Sequence, residues 1–102
     1  MATLADAEIQ ARLQGVPGWR LAGDGSAAIE RDFEFADFAE ALAFVDEVGA
    51  AAEAVNHHPD ILLHGWNKVR LTLSTHSAGG LTGADFDLAG RIDGLVAGAA
   101  DA

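Results

Sequence analysis

Three histidines and one carboxylate in this chain have the types and spacing to move protons. His57 and His58 stand side by side in the stretch Glu53-Ala54-Val55-Asn56-His57-His58-Pro59-Asp60, and His76 closes a later run, Asn67–His76. Imidazole is the side chain best suited to give and take protons near neutral pH. Glu53 lies four residues before His57. That is the same helical face if a helix reaches so far, and a carboxylate there would orient an imidazole. The residue before a proline is pushed out of the α region, so two adjacent rings on extended backbone diverge. They would line two walls of one pocket, with His76 as the third. Singly, each histidine is an ordinary polar residue at an element end. Jointly with Glu53, they read as one acid–base site. His64 falls in a loop and joins no pattern.

Other chemistries fit less well. The chain has no cysteine, which excludes thiol nucleophiles, disulfides and thiolate metal sites. Three imidazoles and a carboxylate are suitable zinc ligands, but adjacent histidines do not readily chelate one ion, and neither His-x-His nor His-x-x-x-His occurs. There is no Gly-x-Ser-x-Gly elbow for serine hydrolysis. Gly79-Gly80-Leu81-Thr82 lacks the lysine of a phosphate-binding loop and reads as a turn and a cap. Asp85 could reach a pocket or stabilise a helix start. Trp19 and Trp66 could stack on a flat ligand, but such aromatics are more often core or interface.

Composition narrows the partners. The net charge is −10, and Lys68 and Arg70 are the only close basic pair, which argues against nucleic acid and anionic membranes. An acidic surface suits a soluble protein with a small neutral or weakly polar ligand. No run approaches the ~18 apolar residues of a membrane span. The start of the chain lacks a basic segment and acquires Asp6 and Glu8 early, so it does not read as a signal peptide, and the cytoplasm is the expected address. With 102 residues, half of them hydrophobic, one domain over residues 1–102 with a modest core is expected.

The elements that must position these residues follow from periodicity. Thr3 to Gln14 reads as a helix, with Thr3 and Asp6 as a capping box. Trp19–Ala22 and Ala27–Phe35 read as a hairpin. In the second run Ile29, Arg31, Phe33 and Phe35 share one face. Asp37 is a helix N-cap, and Phe38, Leu42, Val45, Val48 and Ala52 form the expected buried stripe of a helix ending near Val55. Asp60–His64 and Asn67–His76 are the next strands. In the latter Val69, Leu71, Leu73 and Thr75 face one way and Lys68, Arg70, Thr72, Ser74 and His76 the other. Thr82 caps a last helix with Asp85 three residues on, and Phe86, Ala89, Ile92 and Val96 face inward. The order α-β-β-α-β-β-α with short connections predicts an α+β fold. It has a four-stranded antiparallel sheet with three helices on one face. The other sheet face and the outer strands would be open to another subunit.

These residues resemble the pterin-4a-carbinolamine dehydratase family, also called 4a-hydroxytetrahydrobiopterin dehydratases. The resemblance rests on Glu53, His57-His58-Pro59, Trp66, His76 and Asp85, and on the run Asn67-Lys68-Val69 through Leu71-Thr72-Leu73-Ser74-Thr75-His76. Gly79, Leu81, Gly18-Trp19, Phe33, Phe35, Asp37 and Phe38 also match, so it covers nearly the whole chain. It implies loss of water from a 4a-hydroxytetrahydropterin to give the quinonoid dihydropterin, in pterin recycling, with no metal or cofactor. It further implies a homodimer or homotetramer. Carried over by position, His57, His58 and His76 surround the pterin and Glu53 supports them. Asn56, Pro59, Ser74, Thr75, Ser77 and Asp85 are the implied substrate contacts. His57 and His76 are taken as the proton-transfer pair, with His58 positioning. The chain departs from the family in two places. Ala84 stands where many members carry a basic residue, and Asp60–Gly65 is one residue longer than in animal forms. The alternative is a non-catalytic protein-binding and dimerisation module. Animal members also partner a homeodomain transcription factor, a role to which this chain's acidity lends no support.

Overall fold

The two strands with the cleanest alternation lie side by side at the centre of the sheet. They are β2 (Ile29–Glu34) and β4 (Lys68–Leu73), flanked by β1 (Arg20–Leu21) and β3 (Asp60–His64) in the antiparallel order β1-β2-β4-β3. The computed structural model describes residues 2–100, with the backbone alone over 97–100. The helices are α1 (Asp6–Leu13), α2 (Phe38–Val55) and α3 (Gly83–Ala100), and a single 3-10 turn spans His76–Ala78. The element order and the α+β architecture are those expected.

Register sets the faces. Ile29 pairs with Leu73, Arg31 with Leu71 and Phe33 with Val69. The five apolar members of these pairs are buried against Phe44, Val48 and Ala52 of α2 and Leu88, Ala89 and Ile92 of α3. Arg31, the one charge on that face, is met from α3. Its guanidinium donates to Asp93 at 2.5 Å, beside the Trp19 indole N–H at 2.8 Å, and it lies 4.6 Å over the Phe33 ring. The opposite face carries a charged ladder. Asp32 accepts from Arg20 at 2.7 Å and from Arg70 at 2.8 Å. These two guanidiniums hold the Asp32 carboxyl down, the Arg70 hydrogen bond most strongly, against a smaller upward push from desolvation.

Three expectations need correction. The stripe that α2 buries is Ala41, Phe44, Val48 and Ala52, whereas Phe38 and Leu42 are about half exposed. The apolar positions of α2 form two stripes. Phe44 decides between them, because its ring packs 4.8 Å from Phe33 and 4.9 Å from Phe35. The capping box at Thr3 does not form. Helix α1 begins at Asp6 after an extended Ala5, because the preceding segment bonds the far end of the chain through Leu4 N–H to Leu81 O, 2.8 Å. His64 is not in a loop but ends β3 opposite Lys68. Two caps form as read. Asp37 accepts from Glu40 N at 2.8 Å, and at α3 Thr82 N donates to Asp85 at 2.9 Å while Ala84 N donates to the Thr82 hydroxyl.

Candidate active site

Helix α2 ends on a left-handed residue, and this aims the paired histidines. Asn56 has φ 51 and ψ 46. Among side chains with a Cβ, asparagine tolerates that region best. Asn56 N donates to Glu53 O at 3.3 Å and His57 N to Ala52 O at 3.1 Å, so the last turn closes on itself and His57 leaves in a fixed direction. Pro59 follows and keeps the backbone extended into β3.

The two rings diverge onto different carboxylates. His57 turns inward, its side chain 15% exposed, and Nε2 lies 2.6 Å from Oδ1 of Asp85. Asp85 is fully buried. Its other oxygen accepts from the Thr75 hydroxyl at 2.8 Å and from Thr82 N at 2.9 Å. A buried charge is tolerated only when it is paired and hydrogen-bonded, and three donors converge here. His58 turns outward to Glu53 at 2.5 Å, with both side chains mostly exposed. Glu53 is thus the partner of His58, and Asp85 is the carboxylate that reaches His57.

The ladder of β3 and β4 ends at Asp60, two residues after the histidine pair. Asp60 opposes Thr72. Counted back along that antiparallel register, His58 falls opposite Ser74 and His57 opposite Thr75. The Asp85 bonds to His57 and Thr75 bridge these two chain segments. His76 follows in the exposed 3-10 turn together with Ser77. The Ser74 hydroxyl donates to Ala27 O at 2.8 Å. His76 and Ser74 line an open depression of about 510 Å³ with Asp24, Ser26, Asp60 and Thr72. His57 lines a smaller hollow of about 140 Å³ with Val55, Ala84, Leu88 and Arg91. The sequence had not singled out Asp60, Thr72 or Arg91. Thr82 is a cap by sequence, and its second contact, 2.8 Å to the Thr75 hydroxyl, carries no sequence signal. Among the described residues no cluster of three His, Asp or Glu side chains could hold a metal ion.

A family model described as pterin 4 alpha carbinolamine dehydratase matches residues 2–95. The chain belongs to that family. A relative from Roseiflexus castenholzii, provisionally named pterin-4-alpha-carbinolamine dehydratase, is 50% identical, covering 93% of this chain and 98% of its own. One from Nocardia farcinica with the same provisional name is 50% identical over 91% of this chain and 94% of its own. Among solved structures, a transcriptional coactivator/pterin dehydratase from Brucella melitensis superposes with a TM-score of 0.84 at 34% identity, covering 91% of this chain and 97% of its own. A pterin dehydratase-like protein described as a RuBisCO assembly factor in the alpha-carboxysome gives 0.64 at 30% identity, covering 76% of this chain and 88% of its own. No helix among the described residues is long and apolar enough to cross a membrane.

Proposed function

We propose that this member of the pterin carbinolamine dehydratase family removes water from a 4a-hydroxytetrahydropterin by histidine acid–base catalysis. In the reaction the bond from ring carbon 4a to the hydroxyl oxygen breaks as that oxygen gains a proton. The adjacent ring nitrogen loses a proton, and a carbon–nitrogen double bond forms. The products are water and the quinonoid dihydropterin. Two proton transfers are needed, and imidazole is the side chain best suited to both near neutral pH.

The observation that carries the reading is the buried carboxylate of Asp85 against His57, beside the β4 end that bears Ser74, Thr75 and His76. A carboxylate behind an imidazole holds the ring in one orientation, the arrangement used for general bases. His57 and His76 form the proton-transfer pair. His58, with Glu53 behind it, positions the ring system. Asn56, Pro59, Ser74 and Ser77 border the bound pterin, and no metal or cofactor is required.

The chain, residues 1–102, acts as one domain in the cytoplasm, without nucleic-acid or membrane partners, as a homodimer or homotetramer. Support for self-association comes from the outer edge of β3, which is unpaired, and from Phe38, Leu42, Ile61, Leu62 and Trp66, which are large, apolar and exposed. Stopped-flow ultraviolet spectroscopy of 4a-hydroxytetrahydropterin decay tests the activity, and a decay no faster with protein than without it would refute it. The relative described as a RuBisCO assembly factor favours a second reading, a non-catalytic protein-binding module. A stoichiometric protein partner together with absent pterin turnover would decide for that second reading.

A further inference from the structure

We propose that Nδ1 of His57, rather than Nε2, is the atom that exchanges protons with the substrate, and that Thr82 and Thr75 are positioning residues that fix this choice. The inference rests on the reading of His57 as an acid–base group and extends it to a single atom and a tautomer.

The direction of each hydrogen bond follows from counting protons. A threonine hydroxyl has one proton to donate. The Thr75 hydroxyl lies 2.8 Å from Oδ2 of Asp85, an oxygen that only accepts when the carboxylate is ionised, so the Thr75 proton is committed there. The 2.8 Å contact between the Thr75 and Thr82 hydroxyls is then donated by Thr82. Thr82 accepts in turn from Ala84 N at 3.3 Å. Thr82 N is a second donor to Oδ2, at 2.9 Å. Both donors fall on one oxygen and leave Oδ1 to His57 alone. An acceptor at 2.6 Å from Nε2 requires the proton on Nε2, and a neutral imidazole then carries its lone pair on Nδ1.

Nδ1 is available. Among the described residues it makes no hydrogen bond, and no buried side-chain nitrogen or oxygen lacks a partner. An unbonded Nδ1 therefore meets solvent. A proton gained by His57 arrives at Nδ1 and leaves from Nδ1, while Nε2–H stays on Asp85 throughout. Thr82 is buried, and its side-chain hydroxyl and backbone N–H reach Thr75 and Asp85, so it acts through those two residues.

The test uses full-length protein labelled with nitrogen-15 in histidine, with the His57 signals assigned by their loss in His57→Gln. Above the titration range the expected spectrum shows a proton-bearing Nε2 and a bare Nδ1. The reverse pattern overturns the proposal, since it would mean that a neutral Asp85 donates to Nε2. Thr82→Val keeps the backbone donor and removes the hydroxyl. It is expected to lower kcat about tenfold at unchanged KM, in line with partners one step behind a working group, and to mix the two tautomer signals. Thr82→Ser is expected to restore both. A Thr82→Val protein with wild-type kcat and an unmixed spectrum removes the positioning role. The proposed function fails separately, through absent turnover in the wild type, whereas the nitrogen shifts report the tautomer on their own.

Discussion

His57 and His58 are neighbours in the chain, yet each is held by a different carboxylate, one buried and one in water. His57 bonds Asp85 from the start of α3, whereas His58 bonds Glu53 from the last turn of α2. The difference in burial predicts different consequences when each pair is broken.

Loss of an acid–base imidazole should cost most. His57→Ala and His76→Ala are each expected to lower the dehydration rate by at least ~10²-fold, the low end for such groups. Stopped-flow rates at matched protein concentration check this. Equal rates for wild type and both variants would remove the histidines from the mechanism.

Asp85→Ala should fail in folding as well as in catalysis. The substitution deletes a helix cap and leaves Thr75 and Thr82 N facing a void, so a loss of about 2–4 kcal/mol in urea unfolding is expected. Glu53→Gln changes an exposed pair and should shift stability by less than about 0.5 kcal/mol. A fall in rate for Glu53→Gln with an unchanged unfolding midpoint would assign Glu53 to the reaction, and a lowered midpoint would show a structural role instead.

The bend at Asn56 should tolerate glycine and resist alanine. A left-handed residue with a Cβ costs about 1–2 kcal/mol, which asparagine partly avoids. Asn56→Ala is therefore expected to lose about 1 kcal/mol and to slow turnover by displacing His57, whereas Asn56→Gly should keep both near wild type. Denaturant midpoints and rates measured on the same preparations separate the two effects.

Acid should weaken the ladder on the open sheet face. The Asp32 carboxyl is held down to about 2, first by the Arg70 hydrogen bond and also by Arg20. An unfolded aspartate titrates near ~3.9. A carboxyl lowered on folding stabilises the native state fully above the unfolded value, and that stability is lost as pH falls through the folded one. Asp32 is nearly half exposed, so water and salt reduce the effect. The stability advantage of wild type over Asp32→Asn should shrink between about pH 4 and pH 2, and should be smaller in high salt. An advantage independent of pH over that window would contradict the ion pairing.

Self-association should depend on the apolar edge. Leu62→Lys on β3 and Phe38→Glu on α2 are expected to give monomers in sedimentation velocity where wild type gives a dimer or tetramer. A monomeric wild type would exclude the oligomer.

Where the sequence was legible, a local pattern had one physical solution. Val69, Leu71 and Leu73 alternate with charges and could face only one way, and Asp37 and Thr82 stand where a helix cap is expected. Residues answering to distant partners were harder to read. Arg31 puts a charge on its strand's apolar face, and its acceptor, Asp93, arrives from α3. The two stripes of α2 were equally periodic, and only the positions of Phe33 and Phe35 choose Phe44. The site divided in the same way. Its histidines stood out by type, but Glu53 appeared to belong to His57 by helical spacing. The left-handed turn at Asn56 breaks that spacing and gives Glu53 to His58.

Because one hidden carboxylate both opens α3 and anchors His57, neither can loosen alone. The start of α3 lies in the core, with Leu81, Thr82, Asp85 and Phe86 all buried, so it opens only with the fold around it. Warming should therefore disarm the imidazole and melt the sheet together, so that heat inactivation coincides with loss of the far-ultraviolet signal.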